Sequence, residues 1–186
     1  MEGQNFDKLK SIKAAVFDGD GVIFPGRVLI SPDGEALKER SHIDGQGISL
    51  LRALGIKIAF VSAEKTGFLE FIGKKINNLP SVKSGKWAEV SVFTGFIGAE
   101  KVDVITKWLG DNHITWEECA VMGDDLVDYA MLQKAGFKVV PVQGEEFVKK
   151  IADYVTERKG GDGAIRDFCN LVLKVKGIDP ITLDLN

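Results

Sequence analysis

A doubly wound α/β fold, with a mostly parallel sheet and helices on both faces, is the architecture this sequence predicts. Three observations point to it. Short runs of consecutive apolar residues recur along the chain, and continuous rather than alternating runs belong to strands buried on both faces. Helical patterns separate those runs. The composition, 45% hydrophobic and 27% charged over 186 residues, suits one globular unit with a full core. The whole chain, 1–186, is therefore read as one domain, with little room for a separate lid.

The elements follow in order. Ala14-Ala15-Val16-Phe17 is the first buried strand. Val22 to Arg40 breaks the rhythm. Two extended segments flank Ser31-Pro32-Asp33-Gly34, a run of turn formers, which predicts a β-hairpin over about 22–40 projecting from the sheet. A helix over 46–54 stops at Gly55, a residue suited to the left-handed position after a helix. Ile56-Lys57-Ile58-Ala59-Phe60-Val61 is the next strand. Residues 77–92, with Asn77-Asn78, Pro80, Ser84-Gly85 and Trp87, keep neither period and read as a loop or small insertion. A helix over 101–109 gathers Val102, Ile105, Trp108 and Leu109 on one face. Ala120-Val121-Met122 is a strand, a helix over 126–135 stops at Gly136, and Phe137-Lys138-Val139-Val140 is a further strand. A helix over 145–152 follows Pro141. The last, over about 163–176, buries Ile165, Phe168, Leu171, Val172 and Val175.

Charge and composition exclude several functions. The net charge is −3 and no block of Lys and Arg exists, so nucleic acid is not an expected partner. No apolar run approaches the ~18 residues that span a bilayer, so no membrane role is expected. The N-terminal Met-Glu-Gly-Gln-Asn is polar, without the apolar stretch of a secretion signal, and a cytoplasmic location is expected. Cys119 and Cys169 form no metal-like spacing with His42 or His113 and read as small buried thiols.

Four places carry chemistry, each beyond a strand or opening a helix, where doubly wound sheets bind ligands. In Asp18-Gly19-Asp20, residues i and i+2 of extended backbone point the same way, so both carboxylates can converge. Like charges so close call for a shared proton or a cation, and Mg²⁺ prefers such hard oxygen donors. Ser62, with Ala63 beside it, can hold a phosphate oxygen, helped by amides at a helix start. Lys101 opens a helix against its dipole, which an anionic ligand would explain. Gly123-Asp124-Asp125-Leu126-Val127-Asp128 places three more carboxylates after a strand. Read singly, each has a plainer account: a turn of Asp and Gly, an N-cap serine, a surface lysine. The ordered set is far more specific than its parts.

That set resembles the haloacid dehalogenase phosphatase superfamily over most of the chain. The resemblance implies a Mg²⁺-dependent phosphomonoester hydrolase. Asp18 would be the nucleophile that forms an aspartyl-phosphate; with an ordinary pKa it needs no activating base. Asp20 would protonate the leaving alkoxide and then activate water, a task helped if a neighbouring carboxylate raises its pKa. Mg²⁺ would sit between Asp18, the backbone carbonyl of Asp20, and Asp124, with Asp125 completing the shell. Ser62, Ala63 and Lys101 would hold phosphoryl oxygens, and Asp128 would position Lys101. A catalytically silent relative serving as an assembly or regulatory module of a sugar-nucleotide pathway is the alternative.

Within the superfamily, Asp44-Gly45-Gln46-Gly47-Ile48 and Gly160-Gly161-Asp162-Gly163-Ala164-Ile165-Arg166 resemble the 3-deoxy-D-manno-octulosonate 8-phosphate phosphatase group, which includes phosphatases of nine-carbon sialic-type acids. A phosphorylated keto sugar acid is the implied substrate. The chain departs from the group at Ser62-Ala63-Glu64, where octulosonate enzymes carry Thr-Gly-Arg. Glu64 would repel a carboxylate, and Glu64-Lys65 suits the nine-carbon members; Glu64, Lys65 and Arg166 are the candidate substrate contacts. Capless relatives assemble into tetramers through the hairpin, so a homotetramer is expected.

Overall fold

In the computed structural model, which describes residues 6–184, β1 (Ala14–Asp18) runs through the middle of a six-stranded sheet. The order is β5 (Ser91–Thr94), β4 (Lys57–Ser62), β1, β6 (Cys119–Met122), β7 (Phe137–Val140), β8 (Tyr154–Val155), and every neighbouring pair is parallel. The chain winds outward from β1 in both directions. The gap at the carboxyl ends of β1, β4 and β6 is thus the topological switch point where such sheets bind ligands.

Two cores explain why the strands show no alternation of polarity. Ala15, Phe17, Ile58, Phe60, Ala120 and Met122 face α1 (His42–Ala53), α2 (Phe68–Asn77) and α7 (Ala164–Lys176). Ala14, Val16, Ala59, Val61, Cys119 and Val121 face α4 (Ala99–Asp111), α5 (Tyr129–Lys134) and α6 (Glu146–Lys149). Phe17 meets Phe60 on the neighbouring strand and Phe168 across the first interface, with ring centroids 6.5 and 6.3 Å apart. Each strand residue is buried by one layer or the other, so successive positions are all apolar. Both cysteines are buried and unpaired, as expected. The polar N-terminal five residues lie outside the described residues.

Three expectations about elements need correction. Residues 77–92 are not a plain loop: a short helix, α3 (Pro80–Lys83), leads into β5, whose pairing with β4 starts at Ser91. The Asn77 carboxamide holds the segment in place, donating to the Val90 carbonyl at 3.0 Å and accepting from the Val90 amide at 2.8 Å. β5, a four-residue, half-buried edge strand, carries little sequence signal of its own, and β8, with two residues, carries less. The first helix starts at His42, not 46, where the Ser41 hydroxyl accepts from the Asp44 amide. Its early glycines, Gly45 and Gly47, weaken the helical signal in the sequence. The hairpin strands are short, β2 (Leu29–Ser31) and β3 (Gly34–Leu37), antiparallel around the expected turn.

The glycine-rich segment before α7 is a brace. Gly161 donates to the Val22 carbonyl at 2.7 Å, and a Cβ at Gly160 would run into the Gly21 carbonyl. Gln143 bridges the two, donating to the Gly21 carbonyl at 2.7 Å and accepting from the Gly160 amide at 2.9 Å. Asp44, only 2% exposed, accepts from the amides of Gly163 at 2.9 Å and Arg166 at 3.1 Å. It satisfies otherwise orphaned donors at the start of α7 and ties α1 to it.

Candidate active site

Asp18 ends β1, Ser62 ends β4, and Asp124 follows β6 by two residues, so three neighbouring parallel strands deliver them to one edge. There they line a cavity of about 330 Å³ with Asp20, Ala63, Glu64, Lys101 and Asp125. Gly21 makes the close approach possible: its φ is +85°, and a Cβ there would collide with the Asp124 carboxylate.

Lys101 is the electrostatic centre. Its ammonium, from the first turn of α4, donates to Asp18 Oδ1 at 2.5 Å and to Asp128 Oδ1 at 2.7 Å. The side chain is 1% exposed and that of Asp128 0%, so neither partner relies on solvent. Burial disfavours the ammonium, but Asp18 and Asp128 outweigh it and hold its pKa above the ordinary value. The other oxygen of Asp128, Oδ2, accepts from the Asp124 amide at 3.1 Å, so one carboxylate orients both Lys101 and the acidic turn.

The carboxyl of Asp18 does not keep an ordinary pKa, contrary to expectation. Burial, and next the Asp128 charge, push it well above the usual range, against the pull of Lys101. Asp124 is pushed up to about 7, again by burial first and then by Asp128 and Asp125. Negative charge is crowded here beyond what one lysine neutralises. Asp18, Asp124 and Asp128 each offer an oxygen, all within 4.8 Å of one another. Three converging hard oxygens, those of Asp18 and Asp124 on carboxyls whose ionised forms are disfavoured, match the donor set of a small divalent cation.

The two acids of Asp18-Gly19-Asp20 reach the same cavity but face different cations. Asp20 Oδ1 and Oδ2 accept from Lys38 Nζ at 2.8 and 2.9 Å. The group against Asp20 is thus an ammonium from the hairpin side, not the expected neighbouring carboxylate. Asp125 is exposed and accepts from the Leu126 amide at 2.6 Å, capping the turn that carries Asp128.

Ser62 is buried, and its hydroxyl accepts from the Glu64 amide at 3.1 Å. It does not open a helix. α2 begins at Phe68 with Gly67 as its cap, so the expected helix amides lie elsewhere. The reason is the intervening Ala63–Thr66 loop. Of the candidate substrate contacts, Glu64 lines the cavity. Lys65 instead lies against Gly95, where a Cβ would strike its stem, and Arg166 pairs with Asn170 Oδ1 at 2.9 Å along α7. The structure brings neither to the cavity wall. It adds three residues that sequence reasoning missed: Arg27, Glu35 and Lys38, all from the hairpin region. Their only sequence signal was charge in a segment of projecting strands.

Convergent carboxylates around a buried lysine, at the switch point of a doubly wound sheet, suit the class of site that works on phosphoryl groups. Comparison with known proteins narrows the class. The haloacid dehalogenase-like hydrolase family matches residues 40–166, and the chain belongs to that family. It is 28% identical over 171 residues to the 3-deoxy-D-manno-octulosonate 8-phosphate phosphatase KdsC of Salmonella typhi, covering 91% of this chain and 84% of that one. A probable YrbI family phosphatase from Pseudomonas syringae superimposes with a TM-score of 0.80 at 34% identity, over 93% of each chain. The octulosonate 8-phosphate phosphatase of Moraxella catarrhalis, solved with magnesium, phosphate and the sugar acid, superimposes with a TM-score of 0.79 at 26% identity, over 91% of this chain and 90% of that one. The chain is a phosphoric monoester hydrolase of this family. Among the described residues, no helix is long and apolar enough to cross a membrane.

Proposed function

We propose that this enzyme hydrolyses a phosphorylated keto sugar acid, octulosonate 8-phosphate or a nine-carbon sialic-type 9-phosphate, through an aspartyl-phosphate on Asp18. The observation that carries the reading is the buried Lys101 bridging Asp18 and Asp128 beside Ser62 and Asp124. Asp18 attacks phosphorus, and the bond to the leaving oxygen breaks while Asp20 donates a proton to it. Asp20 then takes a proton from water, which attacks the aspartyl-phosphate. The bond to Asp18 breaks, inorganic phosphate leaves, and Asp18 is restored. Ser62 and the Ala63 backbone hold phosphoryl oxygens, and Lys101 balances charge that develops on them. Asp18, Asp124 and the Asp20 carbonyl would hold Mg²⁺, with Asp125 and Asp128 around them. When bound, the ion supplies positive charge that lets a phosphate dianion approach the carboxylates. Arg27 lines the same cavity as Glu64 and adds a cationic group to its wall, which favours an acidic substrate.

Phosphate release from a panel of eight- and nine-carbon keto-acid phosphates tests this. Turnover is expected on at least one, lost in EDTA and restored by Mg²⁺. Rates at background on every member would instead favour the silent assembly module.

The chain acts as one catalytic unit without a cap. The intervals from Asp20 to Ser62 and from Ser62 to Lys101 hold the hairpin, α1, β4, α2, α3 and β5. Control of water at the mouth then falls to neighbouring copies. Leu29, Ile30 and Leu37 on the hairpin are 65%, 74% and 62% exposed, an apolar surface that assembly would cover. Light scattering is expected to give about four times the chain mass. A fully active species of single-chain mass would refute the assembly.

A further inference from the structure

We propose that Lys38 is the positioning residue for the Asp20 carboxyl, which makes the strand β3 side of the hairpin a working part of the site. This rests on the reading of Asp20 as the acid and base of the reaction.

Lys38 follows β3 by one residue, and its side chain is only 3% exposed. Its ammonium lies 5.5 Å from the Phe24 ring centroid and 5.7 Å from that of Phe68, within cation–π range of both. Glu35 Oε2 stands 3.5 Å away and shares its charge. A lysine held by two rings and two carboxylates is unlike the exposed ion pairs that contribute little. Asp20, by contrast, sits on the loop beyond β1, 34% exposed at its side chain, with two free torsions of its own. Accepting at both oxygens from one anchored ammonium fixes the plane of its carboxyl. A group that must give a proton to the leaving oxygen and then take one from water needs that aim, since misplacement by about an ångström can cost 10²-fold. Phe24 is held in turn through the catalytic loop: its amide donates to the Gly19 carbonyl at 3.0 Å and its carbonyl accepts from Gly21 at 2.9 Å. Lys38, its aromatic seat and the loop of the acids therefore form one mechanical unit.

The test compares leaving groups. p-Nitrophenyl phosphate releases a stable phenolate that needs no proton. A sugar-acid phosphate, octulosonate 8-phosphate or the nine-carbon 9-phosphate, whichever turns over faster, releases an alkoxide that does. Lys38→Met keeps the length of the stem and removes the ammonium. It is expected to lower kcat/KM for the alkyl ester by about 10- to 100-fold more than for the aryl ester, the same selectivity as Asp20→Asn in weaker form. Lys38→Arg, which can still bond both oxygens, is expected to recover most of that selective loss. Equal losses on both esters, or none on either, in a variant that melts like the wild type would overturn the proposal. A Lys38→Met that fails to fold leaves Lys38→Gln to decide: a larger fall in kcat/KM for the alkyl ester than for the aryl ester supports positioning, and an equal fall on both, or none on either, overturns it. Failure of the underlying reading looks different. Asp18→Asn would then stay active, or Asp20→Asn would show no preference between leaving groups.

Discussion

Asp18→Asn is expected to abolish turnover, with kcat falling by a factor on the order of 10⁴ or more. Asn is nearly isosteric, so the cavity shape survives, but a neutral amide oxygen is a poor nucleophile and its adduct with phosphorus cannot form productively. The variant also separates catalysis from folding. Asp18 is a buried carboxyl whose charge is disfavoured by burial and by Asp128. Removing that charge leaves Lys101 still bonded to Asp128 at 2.7 Å. The melting temperature is therefore expected to hold or rise slightly while phosphate release disappears. Full activity in Asp18→Asn would falsify the assignment of the nucleophile.

Lys101→Met is expected to damage both function and fold. Removal of one preorganised charge at a phosphoryl-transfer centre costs about 10²–10³ in rate, and Lys101 touches the nucleophile itself. On the stability side, Asp18 and Asp128 lose their shared ammonium. Breaking a buried ion pair from one side costs about 3–5 kcal/mol when the remaining charge has no partner. Here two carboxylates remain, and protonation of Asp18, whose pKa burial already pushes up, limits the damage, which fixes the sign of the pH dependence. Carboxyls whose folded pKa lies above the unfolded ~3.9 contribute stability that is present at low pH and lost as pH rises through the folded value. Without metal, the variant should lose more melting temperature relative to wild type at pH 8 than at pH 5. Mg²⁺ should recover part of the loss at pH 8. An equal loss at both pH values would mean that Lys101 does not neutralise these acids.

Much of this was legible in the sequence. Continuous apolar runs marked β1, β4, β6 and β7 because a doubly covered parallel sheet buries every residue of its strands. The motifs lay just after those runs because the switch point requires it. Edge elements were not legible. β5 and β8 are short and partly exposed, and they exist through pairing with a neighbour, which leaves no local signature. α1 began earlier than expected because its glycines hide a start held by the Ser41 cap. Ser62 looked like a helix opener because strand-loop-helix and strand-helix differ only in the Ala63–Thr66 loop.

The sequence by itself determined the doubly wound sheet and the set of acids, hydroxyl and lysine at its carboxyl edge, since local apolar period and motif position are written residue by residue. Only the tertiary structure decided which charges meet. Lys101 reaches Asp18 across 83 positions, Lys38 clamps Asp20 across 18, and Gly160 closes on Gly21 from the far end of the chain. Lys65 and Arg166, plausible by motif, turn to other partners. The reason is physical. Charge pairing depends on distances of a few ångströms set by strand register, loop path and the packing of side chains such as Phe24 and Phe68. None of these is a function of spacing along the chain.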